Sequence, residues 1–288
     1  MSGRGLAQKT IALIDASFAI LEEIQPASVR AVCYQLFIAH LIANMGKKET
    51  DKVSGHLTTA RERGMIPWEW IVDETRQVER TQTWVTPSQY ADTVMRSYRK
   101  DWWANQPERL MVISEKGTIG GTLRPVLHEY RVPFLIQHGY GSATAIKDLA
   151  DFSVADERPL TLLYVGDHDP SGRSMSDLDI PERMGRYGGE ADLVRLAVTP
   201  AQIAAYALPT FSAHDKCKDS RSPWFLNTYG ETCCELDALN PNTLRDLVEG
   251  AITDRIAWEE WHDAQAEESG EREAIRENVK LLKEAMWV

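Results

Sequence analysis

The sequence lacks the features that mark membrane-spanning, secreted and zinc-binding proteins. No apolar run among its 288 residues approaches the roughly 18 residues that cross a bilayer. The opening MSGRGLAQKT contains neither the apolar core nor the cleavage site of a secretory signal. The four cysteines, Cys33, Cys217, Cys233 and Cys234, show no CxxC spacing, so we expect reduced thiols and no zinc site. These absences predict a cytoplasmic protein with no membrane contact.

Positive charge is in the minority. The chain has 32 Lys and Arg residues against 43 Asp and Glu residues, a formal net charge of −11. This balance argues mildly against nucleic acid, because phosphate binding needs a positive surface. The acids concentrate near the C-terminus, whereas basic residues gather earlier, at Lys47, Lys48, Lys52, Arg61, Arg63, Arg76, Arg80, Arg96, Arg99 and Lys100. A partly basic face on an acidic protein is permitted, so total charge does not decide the question.

Hydrophobic periodicity predicts three helices near the N-terminus. They cover residues 10–24, 29–44 and 52–64, with Ser28 capping the second and Thr50 or Asp51 the third, and a short extended piece follows at 65–76. Three helices followed by a β-like element match a winged helix-turn-helix layout. Lys52, Arg61 and Arg63 on the third helix are then candidate DNA contacts. Many unrelated three-helix units share this pattern, so it does not establish DNA binding.

The pattern changes in the second half of the chain. After a predicted connecting helix at 81–108, strands and helices alternate, with strands at 111–115, 132–137, 161–166 and 193–198 and helices at 122–130 and 142–152. Such alternation implies a parallel sheet with helices on both faces. We place the domain boundary near Asp101 to Gln106, which gives domains of residues 1–105 and 106–288, the second ending in a helical extension.

Two aspartates follow the most apolar of these strands. The run 160–165 reads LTLLYV and leads through Gly166 into Asp167 and Asp169, at the edge where open α/β sheets bind ligands. Two carboxylates so close repel each other unless a cation lies between them, and a hard divalent ion is the usual solution. The other interpretation is an Asp-rich turn that caps a helix.

A third acid is expected at the same edge of the sheet. Glu115 ends the strand at 111–115 and is followed by Lys116. By itself, Glu115 reads as an acid at a helix N-terminus, stabilised by the helix dipole. Together with Asp167 and Asp169 it forms an oxygen-ligand set suited to Mg²⁺ or Mn²⁺.

These residues resemble a known family. A strand ending in Glu-Lys and a later strand ending in GDxDPxG are similar to the Toprim domain, and most similar to that of the topoisomerase VI A subunit and the related meiotic double-strand-break protein. That family carries its nucleophilic tyrosine in a segment R-x-x-Y-Y of a winged-helix domain. Here Arg30 and Tyr34 match the pattern, while Cys33 replaces the first tyrosine. Residues 234–239 (CELDAL) look like the family's E-L-x-A-L segment, so the resemblance covers residues 28–239.

The resemblance implies a winged-helix domain joined to a Toprim domain, and metal-dependent DNA cleavage. Tyr34 would attack a phosphodiester and leave a 5′-phosphotyrosine. Arg30, one helical turn earlier, would lie on the same face and hold the phosphate or help the phenol to ionise. The metal at Glu115, Asp167 and Asp169 would stabilise the transition state. Alternatively, Tyr34 is an aromatic in the apolar stripe of its helix.

Further residues are weaker candidates. Lys116 is predicted to offset the acidic cluster or to bind phosphate, and Arg173 is predicted to meet DNA phosphate. His168, between the aspartates, would contact metal or phosphate or, as we favour, face solvent. The glycine-rich run 138–142 would let the backbone approach a ligand or, as we favour, is a tight loop. The basic segment 216–221 touches DNA or a partner subunit, or is a solvated loop.

The chain also departs from the family it resembles. It is shorter than the A subunits and lacks an ATP-binding GxxxxGK[ST] signature. A separate ATPase or accessory subunit is therefore implied for strand passage, and the resemblance implies a homodimer in which one subunit's tyrosine serves the other's metal site. Three hypotheses remain: a tyrosine transesterase, a hydrolytic Toprim nuclease with a structural Tyr34, and a non-catalytic DNA-binding or assembly protein. A primase is disfavoured because no zinc module accompanies the motif.

Overall fold

The structure is a computed structural model that describes residues 8–72, 81–137 and 143–286. Over these ranges the chain is a mixed α/β protein with a four-stranded parallel sheet. The same ranges contain no helix with the length and apolar character needed to cross a membrane. Arg76, Arg80 and the glycine-rich run 138–142 lie outside the described residues.

Three helices form near the N-terminus as predicted: α1 (Gln8–Ile24), α2 (Val29–Ile38) and α3 (Lys47–Glu62). Ser28 caps α2 by accepting a hydrogen bond from the Ala31 amide at 3.1 Å. Helix α2 ends at Ile38 rather than at residue 44, because His40 adopts φ 57° and the chain turns there. Helix α3 begins one turn earlier than expected, after Gly46 rather than Thr50 or Asp51.

The three helices share a core. Its members are Ile14, Leu21, Ile24, Ala27, Ala31, Val32, Cys33, Leu36, Ile42, Val53, Leu57, Ala60, Ile66 and Ile71. The segment after α3 contains a 3₁₀ turn, Trp68–Trp70, and one parallel bridge between Ile71 and Ala27. Within the described residues the extended piece predicted at 65–76 is therefore a turn and a bridge, and the winged-helix arrangement stays a prediction.

The predicted parallel sheet is confirmed. Its strands are β1 (Arg109–Ser114), β2 (Phe134–Ile136), β3 (Leu160–Val165) and β4 (Asp192–Ala197), in the order β2-β1-β3-β4. Helices α4 (Pro87–Ser97), α5 (Gly120–Glu129) and α6 (Ala143–Val154) precede β1, β2 and β3 respectively. All six residues of β3 are buried, as expected for a central strand covered on both faces.

The chain leaves β3 into a helical path. It consists of α7 (Pro170–Ser174), a π-helical turn (Met175–Asp179) and α8 (Ile180–Arg186). The elements that follow β4 are α9 (Pro200–Ala205), β5 (Phe211–Ser212), α10 (Ser222–Tyr229), β6 (Thr232–Cys233), α11 (Pro241–Thr253) and α12 (Trp258–Met286). Side chains from β3, α6 and α8 form a second core that includes Tyr164, Ile146 and Ile180. This core fixes where the carboxyl end of β3 lies.

The chain divides into two compact units. The larger comprises residues 1–76 and 110–253, and the smaller comprises 77–109 and 254–288. The larger unit therefore contains both the three-helix core and the sheet. In the smaller unit α4 packs on α12, and Trp102 and Trp103 meet Trp261 edge-on. The predicted helix at 81–108 is helical only in α4, and the predicted boundary near residues 101–106 falls inside the smaller unit and stays a prediction.

Candidate functional site

Asp167 and Asp169 lie at the carboxyl end of β3 and are buried, with 8% and 2% of their surface exposed. Asp169 Oδ1 accepts a hydrogen bond from the Gly172 amide at 2.7 Å and so caps α7. Its other oxygen binds Lys216 Nζ. The capping interpretation of the Asp pair is thus confirmed for Asp169.

Gly172 keeps this turn compact. A Cβ at this position would lie 2.4 Å from the Asp167 carbonyl oxygen, which is closer than a real Cβ can approach a backbone atom. It would also lie 3.1 Å from Glu115 Oε1. The Arg195 guanidinium secures the same turn from β4, because it donates to the carbonyl oxygens of Gly172 at 3.1 Å and Gly166 at 3.0 Å. The absence of a side chain at 172 therefore lets Glu115 approach the start of α7.

Glu115 lies directly after β1, close to both aspartates. Burial raises the pKa of Glu115 to about 7, and the charges of Asp167 and Asp169 add to this shift while Lys116 opposes it. The Glu115 carboxyl group is therefore harder to ionise than an exposed glutamate. The three acids predicted to act together repel each other, as expected of a site that binds a cation.

Lys116 contacts three carboxylates. Its Nζ lies 2.7 Å from Asp237 Oδ2, 2.8 Å from Asp167 Oδ1 and 3.5 Å from Glu235 Oε2. Burial lowers the pKa of Lys116, but these carboxylates outweigh it and hold the pKa above its ordinary value. Asp167 Oδ1 also accepts the Leu236 amide at 2.7 Å. Lys116 therefore offsets the acidic cluster, the first of its two predicted roles, and is bound within the chain.

Helix α2 brings Arg30 to the same network. Arg30 Nε donates to Glu235 Oε2 at 2.9 Å and lies 3.5 Å from Asp237 Oδ2, and a second guanidinium nitrogen also binds Glu235. The backbone of α2 packs on the 3₁₀ turn Leu236–Ala238. The helix that carries Tyr34 and the strand ends that carry the acids therefore share one set of counter-ions.

Tyr34 is buried, with 6% of its surface exposed, and lies outside the three-helix core cluster. Its ring centroid is 5.7 Å from the Arg30 guanidinium carbon. Burial raises the pKa of Tyr34 and Glu235 raises it further, whereas Arg30 and Lys116 lower it. The phenol is therefore protonated in this state and needs a base to react.

His168 does not face solvent, so that expectation is wrong. It is 1% exposed and its ring packs edge-on against Phe225 and Tyr229, at centroid distances of 5.3 and 5.5 Å. Burial lowers the pKa of His168 to about 4, helped by Arg173 and Arg195. His168 is therefore a neutral core histidine.

The predicted DNA contacts divide by exposure. Arg173 has a side chain that is 12% exposed and pairs with Asp177 at 3.1 Å, and its guanidinium lies over the Tyr229 ring. Arg61 donates to the Trp68 carbonyl at 3.0 Å and lies over the Trp68 ring. Lys52 and Arg63, by contrast, are exposed on and just after α3.

The acids fit a divalent cation in donor type. Glu115, Asp167 and Asp169 offer the oxygen ligands that Mg²⁺ and Mn²⁺ prefer, and Gly172 leaves Glu115 Oε1 without a competing side chain. As placed, no three His, Cys, Asp or Glu side chains in the described ranges form a metal-binding group. Lys116 and Lys216 bind the aspartates instead, so a cation would have to replace these ammonium groups.

Sequence reasoning indicated Lys116 as a counter-ion of the acids but missed the other counter-ions. Glu235 and Asp237 had a signal, because they belong to the CELDAL segment, but nothing in that segment indicated Arg30 and Lys116 as partners. Lys216 was predicted only as part of a polar loop, and Arg195 was read as a strand residue. Comparisons of the chain with models of protein families and with curated proteins find no match.

Proposed function

We propose that this chain cleaves DNA by transesterification, with Tyr34 as the nucleophile and Glu115, Asp167 and Asp169 as the acids of the reaction site. One observation carries the proposal: a continuous series of ion pairs runs from Arg30 on α2 to Asp167 at the end of β3. Two motifs far apart in sequence thus meet at one sheet edge. The proposal includes the finer fold assignment, a winged-helix domain followed by a Toprim domain.

The chemical step exchanges one ester for another. The Tyr34 oxygen forms a bond to phosphorus, the bond from phosphorus to the 3′ oxygen breaks, and the chain becomes attached to the 5′ phosphate. The phenolic proton leaves Tyr34 and the departing 3′ oxygen takes up a proton. Because the bond count is unchanged, the reaction can run backwards and reseal the DNA.

Arg30 supplies the phosphate contact in this proposal. Its guanidinium binds a carboxylate through two nitrogens, and the same fork of donors suits a phosphate. A phosphodiester that takes the place of Glu235 would bring phosphorus next to Tyr34. It would also release the Glu235 carboxylate, which then serves as the base for the phenol.

A divalent cation fits the acids of the site, as argued above from donor type and from Gly172. Bound to Glu115, Asp167 and Asp169, Mg²⁺ or Mn²⁺ would neutralise charge on the phosphate oxygens. The residues of the chain contribute in another way. Burial raises the pKa of Asp167, Lys116 and the Leu236 amide oppose that rise, and the amide fixes the orientation of the carboxylate.

Hydrolysis is the second candidate, and the burial of Tyr34 favours it. A phenol that is 6% exposed with a raised pKa is a poor nucleophile in this state, and hydrolysis does not need it. A hydrolytic nuclease would use the same Glu115, Asp167 and Asp169 and leave no protein on the DNA.

The test is cleavage of supercoiled plasmid with Mg²⁺ or Mn²⁺, stopped with detergent and divided into samples with and without protease. The variants are Tyr34→Phe and Asp167→Ala. The matched controls are Tyr206→Phe and Asp148→Ala, because both positions are exposed. We expect cleaved DNA that carries protein, lost in Tyr34→Phe and Asp167→Ala and kept in both controls.

Other outcomes identify the alternatives. Protein-free breaks that survive Tyr34→Phe but not Asp167→Ala would establish hydrolysis. DNA retention without cleavage under either metal would support the non-catalytic binding protein. A requirement for an added ATPase subunit would support the partner that the resemblance implies.

A further inference from the structure

We infer that the Tyr164 hydroxyl is a positioning group of the candidate site: it donates a hydrogen bond to the Glu115 carboxylate when that carboxylate holds a divalent cation. This inference rests on the metal site of the proposed function and deepens it, because it names a residue outside the three acids that governs their affinity for the cation. Tyr164 is the last residue but one of β3 (Leu160–Val165).

The first support is that the hydroxyl is buried without a partner. Tyr164 is 0% exposed, and among the residues that the structure describes its hydroxyl oxygen has no hydrogen-bond partner. A buried polar group left in this state destabilises a fold, so nearly all such groups in proteins are paired. A phenylalanine would fill the same space in the core without that cost. Packing alone therefore does not account for the hydroxyl.

The second support is the position of the phenol. The Tyr164 ring lies against Gly166, where a Cβ would come within 2.9 Å of the hydroxyl oxygen and 2.6 Å of a ring carbon. The guanidinium carbon of Arg195, on β4, is 5.0 Å from the ring centroid. Arg195 also donates to the carbonyl oxygens of Gly166 and Gly172. The ring is therefore held beside the turn between β3 and α7, where the two aspartates lie.

The third support is that Glu115 lies at the same turn. Its Oε1 would be 3.1 Å from a Cβ on Gly172, and the Asp167 backbone amide hydrogen-bonds its carboxylate. Burial raises the pKa of Tyr164, and the charge of Glu115 raises it further and has a larger effect than any other charge, whereas Arg195 opposes the rise. The phenol is therefore a protonated donor, and Glu115 is the charged group that affects it most.

A hydroxyl donor in this position suits a carboxylate that binds a cation. A donor that binds one carboxylate oxygen leaves the other oriented towards the metal, and such outer partners typically change metal affinity by roughly 10–100-fold. The two aspartates already have lysine ammonium groups as donors. The Tyr164 hydroxyl gives Glu115 a comparable donor.

Binding of Mn²⁺ to the full chain, without DNA, tests the inference. The electron paramagnetic resonance signal of free Mn²⁺ gives the affinity of the wild type, of Tyr164→Phe and of the control Tyr130→Phe. Tyr130 follows α5, and its hydroxyl binds Glu249 of α11 at 2.8 Å rather than a group of the site. We expect Tyr164→Phe to weaken Mn²⁺ binding by roughly 10–100-fold and Tyr130→Phe to leave it unchanged.

Thermal unfolding without metal separates positioning from packing. Tyr164→Phe keeps the ring and removes only a hydroxyl that has no partner among the described residues, so its Tm should equal or exceed that of the wild type. Tyr130→Phe loses a hydrogen bond and should have a lower Tm. A purely structural hydroxyl predicts the reverse for Tyr164→Phe. A lowered Tm with unchanged Mn²⁺ affinity would overturn the inference.

A second pair of backgrounds identifies the acid through which the hydroxyl acts. In Glu115→Gln, Tyr164→Phe should change the Mn²⁺ affinity by less than about twofold, because the carboxylate that it positions is gone. In Asp167→Asn the full loss should remain. A full loss in the Glu115→Gln background would show that the hydroxyl serves another group, and the assignment to Glu115 would be wrong.

Mn²⁺ binding and plasmid cleavage report separately on this inference and on the proposed function. If the wild type binds Mn²⁺ more tightly than Tyr164→Phe but cleaves no DNA, the inference stands and the proposed function fails. If the two proteins bind Mn²⁺ equally and the wild type cleaves DNA, the function stands and the inference fails. A wild type that binds Mn²⁺ no better than Glu115→Gln would overturn both the inference and the metal site on which it rests.

Discussion

Two groups of basic side chains, at the sheet edge and on α3, differ in where their charge is used. Lys116 and Arg173 at the sheet edge are bound to carboxylates of the same chain and are 18% and 12% exposed. Lys52 and Arg63, on and just after α3, are exposed. From the sequence all four are candidate DNA contacts, and Lys116 is also a candidate to offset the acids. Their difference teaches that a cation near a buried acid pairs with that acid, and can then bind an external phosphate only if the acid is displaced.

The first way to test this comparison is to remove a cation from each group. Lys116→Met leaves Asp237 and Asp167 without their shared ammonium group, and we expect a loss of about 3–5 kcal/mol in the free energy of unfolding, as for one partner of a buried ion pair. Lys52→Met is the matched control and should change stability by less than about 0.5 kcal/mol. Urea unfolding measures the free energy of unfolding of both variants. Equal losses would contradict the proposed difference between the two groups of basic side chains.

The second prediction concerns the turn that brings the acids together. Gly172→Ala would place a Cβ 2.4 Å from the Asp167 carbonyl oxygen, so the turn must open, at a cost of about 3 kcal/mol. In α8, a Cβ at Gly185 meets nothing within 4 Å, and Gly185→Ala should stabilise by about 0.5–1 kcal/mol. Thermal melts of the two variants should therefore shift in opposite directions, and a stable Gly172→Ala would refute the close packing.

The sequence predicted the sheet edge better than the contacts made there. Apolar runs with turn signals identified all four strands. Because parallel strands place their carboxyl ends at one edge of the sheet, the sequence also placed Glu115, Asp167 and Asp169 at that edge. The partners of these acids come from far away along the chain: Arg30 and Glu235 are 205 residues apart. No local pattern encodes such a pairing.

Tertiary packing and a backbone turn explain two of the errors of detail. His168 alternates with two aspartates and so appeared polar and outward-facing, but Phe225 and Tyr229 from α10 cover it. Helix α2 was predicted too long because the apolar pattern continues past Ile38, whereas the backbone turns at His40. In both cases the local sequence pattern was read correctly. The burial of His168 was decided by a distant helix, and the end of α2 by the backbone angle at His40.

The third prediction uses pH to expose the strain among the acids. The folded-state pKa of Glu115 is raised from 4.5 to about 7, so its contribution to stability is full below pH 4.5 and is lost as pH rises through 7. In a chelator, Glu115→Gln should therefore gain roughly 2–3 kcal/mol relative to wild type between pH 5 and pH 8. Glu182→Gln, at a side chain that is 69% exposed, controls for removing a charge. A constant difference across this pH range would show that Glu115 is not strained by its neighbours.

The last prediction measures which cations remain open to DNA. Each phosphate contact contributes about one unit to the slope of log affinity against log salt. Lys52→Ala and Arg63→Ala should each lower the slope by about one unit or less while leaving the Tm unchanged. Arg173→Gln should leave the slope unchanged and lower the Tm, because its guanidinium binds Asp177 and Tyr229. Fluorescence anisotropy with a short duplex, read at several salt concentrations, gives all three slopes. A reduced slope for Arg173→Gln would mean that Arg173 leaves Asp177 and contacts phosphate when DNA binds. The difference between the two groups of basic side chains would then apply only to the free protein.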